Sequence, residues 1–128
     1  MSGPDTPQDQ APAALAPVAT PQARQSLSQR RAHWSIAFEH DGHRYKAGWG
    51  TFDDCPAGPL AEIFLNTEKD GTALDVAARD AAISASLLLQ HGCPVATLRH
   101  ALTRKGDGSA SGPLGVFLDR LASGGAAE

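Results

Sequence analysis

The chain has 128 residues and a formal net charge of −3, which leaves room for one small domain, since a single core usually needs about 100 to 150 residues. Eight basic and twelve acidic residues follow Arg31, and this balance argues against a nucleic-acid-binding surface. No run of 18 apolar residues occurs, which argues against a membrane-spanning helix and a membrane partner.

The first 32 residues differ in composition from the remainder. Five of the nine prolines lie within the first 21 residues, and all seven aromatic residues lie beyond residue 33. Such a segment cannot bury enough apolar surface to offset its conformational entropy. We therefore predict a disordered tail over residues 1–32, with a helix over residues 23–31 as the alternative.

The segment has neither the basic start nor the Leu-rich centre of a signal peptide. Two cysteines, Cys55 and Cys93, are too few for a disulfide framework. We expect a cytoplasmic protein with reduced thiols, one domain over residues 33–122 and a disordered end over residues 123–128.

Three strands are predicted after the tail. Large apolar residues alternate with small or polar ones over residues 34–39, a period typical of a strand. Asp41 and Gly42 then indicate a type I′ hairpin turn, which needs positive φ at both positions. The second strand runs over residues 44–52 and the third over residues 60–67. Two glycines in the second strand, Gly48 and Gly50, indicate a bulge or a sharp twist.

Helices follow the strands. Thr72 can cap a long helix, Asp75 has the position of a capping-box acid, and Gly92 is expected just after the helix ends near His91. Pro94 suits the start of a second helix. The predicted inner stripe of the long helix consists of Leu74, Ala77, Ala78, Ala81, Ala85 and Leu88. A short terminal helix is predicted from Leu114, Phe117, Leu118 and Leu121.

This order predicts an α+β fold, a three-stranded antiparallel sheet with two to three helices packed on one face. The opposite face would be exposed to solvent or covered, and a homodimer is one way to cover it.

One segment could bind an anion. The stretch over residues 66–72 joins a strand to a helix N-terminus, where free backbone N–H groups attract negative charge. The candidate ligand-binding residues are Asn66, Thr67, Lys69, Gly71 and Thr72. An ordinary turn before a capped helix is the alternative, because Glu68 and Asp70 oppose a phosphate.

Other chemistry has weaker support in the sequence. No pair of potential zinc ligands occurs at a metal-binding spacing, so no metal site is predicted. No serine has an assignable base, and the adjacent acids Asp53 and Asp54 lie in a predicted loop. We therefore predict no catalytic residue.

Two stretches carry a family resemblance. The first covers residues 60–72, a strand, a Lys- and Gly-containing turn and the start of the Ala-rich helix; the second covers residues 91–98, with Gly92 and Pro94 at a helix junction. Together they resemble the TSCPD domain, a C-terminal module of adenosylcobalamin-dependent (class II) ribonucleotide reductases that also occurs as small stand-alone proteins. The likeness extends over about residues 34–121.

The pentapeptide that names the family differs here. The matching residues, 110–114, read Ala-Ser-Gly-Pro-Leu, so Gly112 stands where the family has cysteine and supplies no thiol. The resemblance implies a role in deoxyribonucleotide synthesis, with a nucleotide or a ribonucleotide reductase as partner and adenosylcobalamin as an associated cofactor.

A domain of about 90 residues is too small to enclose the catalytic barrel of a reductase. We therefore expect an accessory module that is not catalytic alone. The alternatives are a component of a ribonucleoside-diphosphate reductase and a purely structural homodimer.

Overall fold

The computed structural model describes residues 22–124. Within them the chain forms the predicted α+β fold, an antiparallel sheet of strand order β1-β2-β3 accompanied by three helices. The strands are β1 Trp34–His40, β2 His43–Thr51 and β3 Leu60–Thr67; the helices are α1 Ala73–Gln90, α2 Val95–Ala101 and α3 Pro113–Ala122. None of the helices in the described part has the length and apolar character needed to cross a bilayer.

The hairpin between β1 and β2 has the predicted geometry. Asp41 and Gly42 have φ of 55° and 80°, and His40 pairs with His43 on either side of them. Positive φ at both turn residues matches the right-handed twist of the strands that they join. The register of β2 against β3 shifts between Gly50 and Thr51, where a bulge was expected.

The core lies between one face of the sheet and the helices. Its strand residues are Phe38, Tyr45, Ala47, Trp49, Ile63 and Leu65. Helix α1 contributes Ala78, Ala82, Ala85 and Leu89, a spacing of four, three and four residues that keeps one side of a helix inward.

The predicted inner stripe of α1 is therefore partly wrong. Ala78 and Ala85 are buried, but Ala77 is exposed and Leu88 is 47% exposed, while Leu89 is buried. Alanines occur on several sides of this helix, so hydrophobicity alone does not fix which side packs on the sheet.

Side chains of helix α1 also form hydrogen bonds with backbone groups on the outer edge of β3. The Ser86 hydroxyl accepts from the Ile63 amide at 2.8 Å, and the Gln90 side-chain amide donates to the Ala61 carbonyl at 3.0 Å. Because unpaired edge groups can recruit another strand, these contacts protect that edge from further pairing.

Residues 22–33, here called the N-terminal strap, contact the domain at two places. The Arg24 Nε and the Gln25 amide donate to the side chain and the carbonyl of Gln90, each at 2.7 Å. Arg31 and His33 contact Glu62 on the opposite face of the sheet.

The alternative helix over residues 23–31 is not formed. Of residues 1–32, where disorder was expected, residues 1–21 lie outside the described part, while residues 22–32 belong to the strap and contact the domain. Residues 125–128 of the expected disordered end lie outside it as well.

Candidate functional site

The turn over residues 66–72 leads from β3 into α1 and is organised around its own helix. The Thr72 hydroxyl accepts from the Asp75 amide at 3.1 Å, so Thr72 is the predicted cap. The Thr67 hydroxyl donates to the Lys69 carbonyl at 3.0 Å. These contacts close the turn on itself.

Asp75 is the central side chain of this turn. Its carboxylate is 1% exposed and accepts from the Thr67 amide at 2.9 Å, the Gly71 amide at 3.2 Å and Arg79 Nε at 2.8 Å. The Thr67 amide, aided by Arg79 and Gly71, lowers the pKa of Asp75 from 3.8 to about 2 although burial acts in the opposite direction. The carboxylate is therefore ionised at neutral pH.

An internal carboxylate thus lies where an external anion was expected. The backbone N–H groups of Thr67 and Gly71 already donate to Asp75, and a second anion there would meet like charge. Asn66 belongs to the opposite face of β3, and Lys69 is exposed. The fold brings Thr67, Gly71 and Thr72 together around Asp75 and leaves the other two predicted residues outside that cluster.

The sequence indicated Asp75 only as a capping acid. Its reach back to Thr67 depends on how α1 packs against β3, which no local pattern reports. The spacing from Thr72 was the one available signal.

Cysteine and histidine side chains are dispersed over the fold. Cys55 is exposed, while Cys93 is half-buried and packs against the core. His40 Nε2 lies 3.0 Å from the Ser111 carbonyl oxygen. Among residues 22–124, no three side chains of His, Cys, Asp or Glu lie close enough to hold a metal ion.

A large pocket lies elsewhere, at the end of the sheet where β1 and β3 begin. It has a volume of about 770 Å³ and is lined by sheet residues, by the loop over residues 56–59 and by parts of α2 and α3. Trp34 and Trp49 both line it, with ring centroids 6.0 Å apart. We call this the tryptophan pocket. It falls within the range typical of small-molecule sites.

Trp34 is the more accessible of the two tryptophans. It is half-buried, whereas Trp49 is buried in the core against Phe117. Arg99, in the last turn of α2, is the charged residue among the described lining residues. Small side chains such as Ala57 and Ala96 leave the space between these groups open.

Hydrogen bonds hold the loop beside the pocket in one conformation. The Asp53 carboxylate accepts from the Cys55 amide at 3.1 Å, and the Gly58 amide donates to the Cys55 carbonyl at 2.8 Å. The indole N–H of Trp49 donates to the Pro56 carbonyl at 3.3 Å. The pocket is consequently preformed, which lowers the ordering cost of binding a ligand.

Adenosylcobalamin, which only the family resemblance implies, does not fit this lining. A corrin ring carries amide groups around its rim, and buried amides need hydrogen-bonding partners. Apart from the indoles, the polar side chains among the described lining residues are Ser35 and Arg99.

Sequence reasoning missed the pocket because its lining residues come from five separated segments. The alternation over residues 34–39 predicted that Trp34, Ile36 and Phe38 share one face of the strand, but no pattern showed which helices would lie opposite. No family model matches the chain, and no solved structure matches it significantly.

Proposed function

We propose that this chain is a nucleotide-binding accessory module linked to ribonucleotide reduction and is not catalytic by itself. The tryptophan pocket carries this proposal. A nucleobase is flat and stacks on aromatic rings, a contact worth about 1–3 kcal/mol per base. Trp34 offers a partly open indole, and Arg99 places positive charge in the same pocket.

Electrostatics favours the pocket over the turn as the nucleotide-binding site. The turn over residues 66–72 encloses the ionised carboxylate of Asp75. The pocket instead combines an apolar lining with Arg99, and no acidic side chain is among its described lining residues. A nucleotide therefore meets more favourable charge in the pocket than in the turn over residues 66–72.

The link to ribonucleotide reduction depends on the resemblance to the TSCPD domain. Its support is the succession of elements that carries the likeness: β3, the turn, α1, Gly92 with φ of +95° and Pro94 as the cap of α2. A cytoplasmic location belongs to the same proposal, since nucleotides and their reductases are found there.

The test is a titration of the protein with nucleosides and nucleotides, followed by tryptophan fluorescence and by calorimetry. Trp34→Leu should weaken binding by about tenfold or more, the equivalent of losing one stacked base. Lys69→Ala, a change in the turn, should leave the affinity unchanged. Equal loss in both variants, or loss only in Lys69→Ala, would contradict the placement of the site.

A reductase partner is the second candidate, favoured by the outer side of α1. Val76, Ile83 and Leu87 are 48%, 57% and 41% exposed and follow one another at helical spacing. An exposed apolar stripe of this kind is typical of a surface that packs against another protein. Ile83→Lys should abolish co-purification with a class II reductase, and unchanged co-purification would exclude this surface.

A further inference from the structure

Arg99 is held in the tryptophan pocket by a carboxylate on the neighbouring helix. Its Nε donates to Asp119 Oδ1 at 2.8 Å, and both side chains are about one-third exposed. The terminal nitrogens of Arg99 donate to no atom of the described residues. The guanidinium is thus fixed through one edge, and its other edge is left for a ligand.

A second arginine shares the same carboxylate. Arg104 makes two hydrogen bonds to Asp119, Nη1 to Oδ2 and Nη2 to Oδ1, each at 2.7 Å. Its terminal nitrogens also donate to the carbonyls of Gly108 and Arg99. Both terminal nitrogens of Arg104 therefore have partners within the fold, whereas those of Arg99 have none among the described residues.

The cluster of Arg99, Arg104 and Asp119 carries a net positive charge. Hydrogen bonds from Arg104 and then Arg99 hold the pKa of Asp119 far below its ordinary value, so the carboxylate is ionised. Two guanidinium groups and one carboxylate give a net charge of about +1, because arginine keeps its proton in proteins. Within the described lining residues no other charged side chain adds to it.

We propose that the open edge of Arg99 binds a single phosphate group, so that the ligand of the tryptophan pocket is a nucleoside monophosphate whose base lies against Trp34. A planar guanidinium matches two phosphate oxygens at once. A phosphate monoester carries a charge of about −1.5 to −2 at neutral pH. Further phosphates would add negative charge, and the described lining residues hold no second cation to receive it.

Asp119 acts in this scheme as a positioning residue. It does not face the ligand with a free charge, because both of its oxygens accept from arginines. Its role is to fix the Nε edge of Arg99 and so to turn the terminal nitrogens outward. The scheme depends on the proposed function, since it names the class of nucleotide for the same pocket.

The test compares adenosine, adenosine 5′-monophosphate and adenosine 5′-triphosphate by calorimetry on the full chain. The monophosphate should bind about tenfold or more tightly than adenosine, the effect of one charge-assisted hydrogen-bonded pair. The triphosphate should bind no better than the monophosphate. Arg99→Gln should remove the preference for the monophosphate and keep the affinity for adenosine, whereas Arg120→Gln on exposed α3 surface should change neither.

The outcomes separate the two proposals. If adenosine and its monophosphate bind equally to the unmodified protein, the phosphate site is refuted and the nucleotide-binding function stands. A triphosphate that binds about tenfold tighter than the monophosphate would also refute it. If none of the three compounds binds, the proposed function itself fails.

Arg99→Lys is a second variant that keeps the test decisive if Arg99→Gln does not fold. It keeps the charge but loses the planar fork, so part of the preference for the monophosphate should return. Loss of adenosine binding in both variants, with unchanged thermal unfolding, would show that Arg99 shapes the base site and would overturn its assignment to phosphate.

Discussion

Phe117 should contribute strongly to the free energy of unfolding, because its side chain packs α3 against the sheet. Its side chain is 0% exposed, and its ring centroid lies 5.9 Å from that of Trp49. Truncating a buried Phe to Ala removes both its transfer energy and its packing, a loss of about 3–5 kcal/mol. Phe117→Ala should therefore lose a large part of a total stability of about 5–15 kcal/mol.

Urea denaturation followed by tryptophan fluorescence measures this loss directly, since Trp49 contacts Phe117. With a slope of about 1–3 kcal/mol per molar urea, the midpoint should fall by at least about 1 M. If Phe117→Ala does not fold, Phe117→Leu keeps most of the volume and should lose about 1–1.5 kcal/mol.

Phe64 provides the matched control, because it is the same residue type on the opposite face of the sheet and is 46% exposed. Phe64→Ala should lose about 1 kcal/mol or less, including its edge contact with His33. Equal losses at the two positions would refute the account of which face of the sheet carries the core.

Three further predictions concern the turn, the strap and the loop. The pKa of Asp75 is lowered to about 2, so its contribution to stability is complete above about pH 4 and is lost as the pH falls toward 2; Asp75→Asn should flatten this part of the thermal-unfolding profile. In Gly50→Ala the new Cβ would lie 2.8 Å from a carboxylate oxygen of Glu62, which should loosen the strap and speed trypsin cleavage within it, whereas Gly106→Ala, which meets open space, should not. Trp49→Phe removes the indole donor to the neighbouring loop, worth about 1 kcal/mol, together with part of the core packing of the ring, and should speed hydrogen exchange over residues 55–58.

Each of these has a clear contrary result. Parallel pH profiles for the original protein and Asp75→Asn would show that Asp75 does not carry the acid sensitivity. Equal trypsin cleavage in the two glycine variants would exclude the close approach at Gly50. Unchanged exchange in Trp49→Phe would mean that the loop is held without the indole.

The elements themselves could be predicted because their signals are local. Alternation gave the first strand, the Asp41-Gly42 pair gave the hairpin, and the observed β3 has the predicted bounds, Leu60–Thr67. Thr72 and Gly92 marked the ends of α1 through backbone chemistry that involves only neighbouring residues.

The parts that were missed depend on residues far apart in the chain. Which side of α1 packs inward is set by β3, since its alanines give no strong apolar stripe. The partners of Asp75 and the presence of Arg99 and Trp34 in one pocket lining arise from how separate elements pack, and a single sequence carries no pattern for such placements. Thr72 caps α1 as predicted, and the Thr67 and Gly71 amides of the same turn donate to the Asp75 carboxylate, which the sequence did not indicate.

Ligand binding in the tryptophan pocket is tested most directly by a nuclear magnetic resonance titration of the isotope-labelled protein with adenosine 5′-monophosphate. We expect the indole N–H signal of Trp34 and the side-chain signal of Arg99 to shift with one saturating affinity, while the amide signals of Lys69 and Gly71 do not move. Shifts confined to the turn over residues 66–72, or no shift at any concentration, would contradict it.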